Sequence, residues 1–143
     1  MKLVLIGLII LFVVSCSSVD YSKKRKIEFD CYQNVEMFVL DAPELFKKYG
    51  YDFKIKDVKK GKFEVSKFIK VENNDIELLF KIELDDDDRE MEIKPSAKVS
   101  DGSNITVQYF DNNNYPQAYQ IHFIDLIENL KTNCTKVAFP NKP

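Results

Sequence analysis

The sequence predicts an α+β domain: an antiparallel meander sheet of about five strands, with an N-terminal helix and a C-terminal helix covering one face. Three patterns lead to this. From Tyr51 to Phe110 apolar and polar residues alternate, and the alternation breaks only at short turn-prone stretches. From Pro116 to about Asn133 the apolar residues recur at helical spacing instead. A further helical pattern lies before the alternating region, between Tyr32 and Tyr49.

The first element is ambiguous. Ile27, Phe29 and Cys31 alternate as a strand would, yet Cys31, Val35, Phe38, Ala42, Leu45 and Tyr49 fall at helical spacing. One helix kinked near Pro43, or a separate element ahead of it, would both fit; helix is expected through most of Tyr32 to Tyr49. Asp41 and Glu44 form a capping pattern with Pro43 in the first turn, and Gly50 suits a C-terminal cap.

The strands come next. Tyr51, Phe53 and Ile55 share a face. So do Phe63, Val65, Ile69 and Val71, with Lys67 as the exception. The series continues through Ile76 to Leu84, Met91 to Val99, and Ile105, Val107 and Tyr109. Gly61, Asn73-Asn74, Asp85 to Asp88 and Asp101-Gly102-Ser103-Asn104 mark the turns. Connections this short force antiparallel neighbours, with one buried face and one wet face. The stripe Tyr119, Phe123, Leu126, Ile127, Leu130 and Cys134 supplies the cover, with Asn112 to Asn114 as capping material and Pro116 near the helix start.

The chain has 143 residues, of which 45% are hydrophobic and 31% charged, enough apolar material for one folded domain, placed at residues 27–143. Only 4 residues are glycine, which argues against a glycine-rich phosphate cradle. The net charge of −2 gives no general attraction to nucleic acid. The one basic cluster, Lys23-Lys24-Arg25-Lys26, reads as part of a solvated tether (residues 16–26) that can also meet anionic headgroups.

Residues 1–15 have the three parts of an export signal: Lys2, an apolar run from Leu3 to Val14, and small residues at the end. As a helix that run spans about 18 Å, short of a hydrocarbon core of about 30 Å. Val13-Val14-Ser15-Cys16 resembles the lipobox of bacterial lipoproteins. The resemblance implies diacylglycerol transfer to the Cys16 thiol, cleavage before Cys16, and acylation of the freed amine, with palmitate among the chains. Two or three chains suffice for stable anchoring where one does not. Ser17 after the anchor implies delivery to the outer membrane, facing the periplasm, in a Gram-negative host; in a Gram-positive host it implies the outer face of the plasma membrane. An uncleaved transmembrane segment from Leu3 to about Val19, or an ordinary cleavable signal, are the alternatives.

Assigning Cys16 to lipid leaves Cys31 and Cys134. An oxidising compartment favours a disulfide between them; two buried thiols, or a metal pair with His122, are the alternatives.

Catalysis needs a nucleophile or a proton acceptor working near neutral pH. The single histidine, His122, has Asp125 one turn on but no partner nucleophile. Asp85 to Asp88 are consecutive, unlike the spaced ligands of a calcium loop, and read as a solvated turn. No phosphate loop, nucleophile elbow, zinc helix or dinucleotide fingerprint is present. Neither a catalytic residue, a metal site nor a cofactor is therefore expected. The expected role is a lipid-anchored, non-enzymatic envelope module that binds a membrane through its lipid and another envelope protein through its domain. The rivals are a protective inhibitor of a lysozyme-like or toxin enzyme, with Asp85–Asp88 meeting a basic surface, and a small-ligand carrier or enzyme using a cleft between sheet and helix.

Overall fold

The computed structural model describes Arg25–Thr135. The signal segment 1–15, Cys16, the tether up to Lys24 and the tail after Thr135 lie outside the described residues. Strand β1 (Ile27–Asp30) leads into helix α1 (Val35–Lys48). Strands β2 (Asp52–Asp57), β3 (Lys62–Val71), β4 (Asn74–Asp85), β5 (Glu90–Ser100) and β6 (Ile105–Tyr109) follow, then helix α2 (Gln117–Thr135).

The α+β architecture is as expected, with six strands in one antiparallel sheet ordered β1-β5-β4-β3-β2, and β6 also on β5. The additional strand is β1, so the alternation of Ile27, Phe29 and Cys31 was the better guide to that segment than its helical spacing. β1 pairs with Glu90 to Ile93 of β5, and β6 with Ser96 to Ser100. The two short strands thus lie end to end along one side of β5. Pro95 sits at the seam between them, its carbonyl accepting from Phe110 N–H at 3.3 Å. The nitrogen and oxygen of a strand residue point the same way, so the nitrogen without a proton also faces this gap and no ladder bond is lost.

Helix α1 starts earlier than Asp41. Asn34 is the N-cap, its side chain accepting from Met37 N–H at 2.8 Å, and Asp86 from the β4–β5 turn accepts from Val35 N–H at 2.9 Å. Two amide protons left over by the first turn are thereby satisfied, and a carboxylate sits at the positive end of the helix. Asp41 is an interior residue, and Pro43 lies inside the helix on its exposed side. The far end closes as expected around Gly50, at φ +75°: Gly50 N–H bonds Lys47 O at 3.0 Å and Tyr51 N–H bonds Phe46 O at 2.9 Å. This is the paired closing pattern that a left-handed glycine permits.

Both helices lie on one face of the sheet. Phe38 and Phe46 of α1 pack on Phe53 and Phe63, with ring centroids 5.0 to 6.3 Å apart. Over the other half, Phe123 and Tyr119 of α2 pack on Phe110, which meets Phe80, and Phe80 meets Tyr51. The buried stripe of α2 is Tyr119, Phe123, Leu126, Ile127, Leu130 and Cys134, as its periodicity predicted. Cys134 at its end is bonded to Cys31 just after β1.

Two consequences are measurable. Gly61 has φ +59°, its carbonyl accepts from Leu84 N–H at 2.9 Å, and a Cβ there would run into the Leu84 carbonyl oxygen. Gly61→Ala should therefore destabilise by more than about 1 kcal/mol, seen as a lower thermal midpoint. Asp86→Ala should cost about 1 kcal/mol through the lost cap in denaturant unfolding, while Asp87→Ala stays near neutral.

Candidate functional site

The interval between helices and sheet, where a ligand cleft was one expectation, is filled by the aromatic rings just described. His122 sits at its margin. The Tyr51 hydroxyl donates to the His122 backbone carbonyl at 2.7 Å, and burial pushes the Tyr51 pKa up. The imidazole itself is pushed below its ordinary pKa, first by partial burial and then by the charge of Lys67. Neither cause involves Asp125.

Lys67 explains its own break in the alternation. It lies on the inner face opposite Leu78, with its ammonium donating to the Tyr49 carbonyl at 2.8 Å and sitting 5.3 Å from the centre of the Tyr51 ring. Tyr49 is the C-cap of α1, so the cation meets the negative end of the helix and the face of an aromatic ring at once. The cluster is built as a helix cap.

The acidic turn is likewise committed to structure. Asp85 accepts from the amides of Asp87 and Asp88, at 2.9 and 3.0 Å, and Asp86 caps α1. Among the described residues no group of three or more His, Cys, Asp and Glu is arranged to hold a metal ion. The alternative of a metal pair with His122 also falls away, because Cys31 and Cys134 are bonded to each other.

The other face of the sheet is divided. Over β2 to β5 it carries ladders of opposite charge. Lys56 pairs with Glu64 and Lys62 with Glu83, around a shallow depression of about 460 Å³. Near β1, Lys26 is held by Glu28 and Glu92, and Lys94 also binds Glu92. Partial burial pushes the Glu92 pKa up, but the hydrogen bonds from Lys94 and Lys26 outweigh it and keep the carboxyl below its ordinary range.

Towards β6 the same face turns apolar. Ile105, Val107 and Tyr109 do alternate, but they do not join the core. Their partners on β5 are Ser100, Lys98 and Ser96, all outward-facing positions. The turn from Ser100 to Ile105 sets this register, and a one-residue difference in register exchanges the faces. The inward apolar place is taken instead by Phe110, which is fully buried. As a result Ile105, Val107 and Tyr109 are 61%, 51% and 42% exposed, and Phe68, two strands beyond β5, is 72% exposed. Phe68 is opposite Glu77, Glu77 opposite Lys98, and Lys98 opposite Val107; in the neighbouring row Leu79 lies between Ser66 and Ser96, with Tyr109 next. β6 carries no charged residue, and among the described residues no strand pairs with its outer side. The sequence held one hint of this surface: Phe68 is out of phase with Phe63, Val65, Ile69 and Val71.

No helix among the described residues is long and apolar enough to cross a membrane. Comparison with protein-family models, with curated proteins and with solved structures found no match to this chain.

The chain has a single histidine, so its ring proton resonances are unambiguous. His122 should titrate below its ordinary value in NMR spectra, and Lys67→Gln should move the midpoint up. Because the folded pKa is lowered, the stability that His122 contributes is present above its unfolded pKa and declines as pH falls from there toward the folded value. His122→Asn should flatten that part of the stability profile.

Proposed function

We propose that the protein is a lipid-anchored component of a bacterial cell envelope whose domain is a non-enzymatic binding module, using the free edge of β6 to recruit another envelope protein. The observation that carries this is β6 itself: an uncharged strand, exposed on both faces, ending the sheet with an edge that no strand among the described residues pairs. Sheet edges are ordinarily blunted with charge because their open hydrogen-bonding groups pair with any extended chain; an edge left without charge is suited to accept a partner strand. The anchor follows from the lipobox resemblance at Cys16, and confinement to a membrane plane raises the effective concentration of partners there. Outer-membrane placement facing the periplasm follows from Ser17.

The rings packed between sheet and helices weigh against the small-ligand reading. The inhibitor reading loses Asp85 and Asp86 as contact residues, since both are engaged within the fold.

Cys16→Ala should release the protein from the membrane fraction without lowering its thermal midpoint; retention in the pellet would count against the anchor. In cells expressing the lipidated chain, Val107→Lys should abolish the cross-linked envelope partner while the protein stays membrane-bound. An unchanged cross-linking pattern would remove β6 as the contact.

A further inference from the structure

We propose that the apolar end of the outer face is a membrane-docking surface: Phe68, Leu79, Ile105, Val107 and Tyr109 rest against the phospholipid interface of the leaflet that holds the anchor. The proposal rests on lipidation of Cys16 and adds an orientation to it.

The place where the chain joins the domain carries the inference. Ile27 pairs with Ile93 on β5 and Tyr109 with Ser96, so β1 begins along β5 close to where β6 ends. The Arg25 guanidinium donates to the Asn114 carbonyl at 3.4 Å, in the connection that follows β6, and the Lys26 ammonium is bound on the outer face by Glu28 and Glu92. The described chain therefore begins at the seam between β1 and β6, with Lys26 turned to the outer face and Arg25 reaching the connection after β6. From Cys16 to Arg25 the chain reaches at most about 30 Å when fully extended. Strand β6 runs only about 17 Å from that seam. The lipid at Cys16 holds this end of the sheet within reach of the headgroups at all times.

The surface presented there has the chemistry of an interfacial contact. It combines two aromatic rings with aliphatic side chains, the kind that settle at the depth of the headgroups. Within the sheet the acids beside this surface are ion-paired, Glu77 with Lys98 at 3.9 Å and Asp75 with Lys70 at 4.0 Å, while Asp101 and Asp111 in the turns that flank β6 accept from backbone amides. The tether adds Lys23 and Lys24 to Arg25, a basic run attracted to anionic lipid. The two most exposed apolar residues elsewhere do not share this position: Leu40 lies on α1, which packs on the opposite face of the sheet, and Ile121 lies on α2. Docked by the outer face, the domain leaves the open edge of β6 pointing along the membrane plane, where a neighbouring envelope protein can meet it.

The chain contains no tryptophan, so a single one makes a clean probe. The full lipidated chain carrying Tyr109→Trp is reconstituted in vesicles of phosphatidylethanolamine and phosphatidylglycerol, with and without bromine on the acyl chains. Its emission should shift to the blue and be quenched about twofold by the brominated lipid, as expected for a side chain sunk into the headgroup boundary. Ile105→Trp should behave the same way, and Leu40→Trp should be unaffected. Equal, weak quenching at all three positions, with the protein still floating with the vesicles, overturns the docking and leaves the anchor standing. A blue shift at Tyr109→Trp that appears only when envelope proteins are added overturns it in favour of a protein occupant. Intact mass, taken first, separates the two levels: Cys16 without fatty acid removes the anchor and the orientation together.

Discussion

The bond between Cys31 and Cys134 joins the end of the first strand to the last turn of the last helix, 103 residues apart, with Cα atoms 4.3 Å from each other. Closing a loop of this size removes conformations from the unfolded chain, worth on the order of 4–5 kcal/mol in the chain-entropy account. Its local surroundings make it the corner of the fold. Cys31 N–H bonds the Arg89 carbonyl at 2.7 Å, and Tyr32 N–H bonds the Cys134 carbonyl at 2.8 Å. Asp86, in the same turn as Arg89, holds the first amide of α1. One small region thus joins β1, the β4–β5 turn, the start of α1 and the end of α2. Of these, the two helices are otherwise held to the sheet largely by side-chain packing.

From that corner the two faces of the sheet diverge. The inner face is bound by rings: α1 stacks on β2 and β3, α2 reaches β4 through Phe110, and Lys67 ties the end of α1 to the edge of the ring cluster. Polar groups on this face are admitted only with a partner, as Lys67 and Tyr51 illustrate. The outer face has no such layer. It is held together by cross-strand ion pairs that are mostly exposed and individually weak, and at its β6 end the charges give way to apolar side chains. An antiparallel sheet tolerates a wet face; it has no need of one bearing Phe68, Ile105, Val107 and Tyr109.

Function, on this account, lies where stability does not require anything. The aromatic interior, Asp85 and Asp86 of the acidic turn, Lys67 and the disulfide all have structural tasks that explain them. The outward side chains of β6 do not: Ile105, Val107 and Tyr109 stand outside the core, no strand among the described residues pairs with the outer edge, and β1 begins near the end of β6. In the proposed arrangement the domain is lipid-held, its apolar surface faces the membrane and the outer edge of β6 lies parallel to it, which together would make a binding device.

Much of this was readable from residue order. Period-two alternation placed five of the strands, and the stripe from Tyr119 to Cys134 placed α2 and its buried face, because burial of one side of a regular element imposes its period on the sequence. Cys31 and Cys134 pair as the oxidising compartment suggested. Three things depended on tertiary structure. The first is where α1 begins: helix was expected through most of Tyr32 to Tyr49, but its start at Val35 is fixed by the Asn34 cap together with Asp86, 51 positions away. The second is that Lys67 belongs to the inner face, because its partners are a helix end and a ring brought there by folding. The third is the candidate surface: alternation in Ile105, Val107 and Tyr109 reports that they share a face but not which one. That choice was made by the register against β5, which local pattern does not encode.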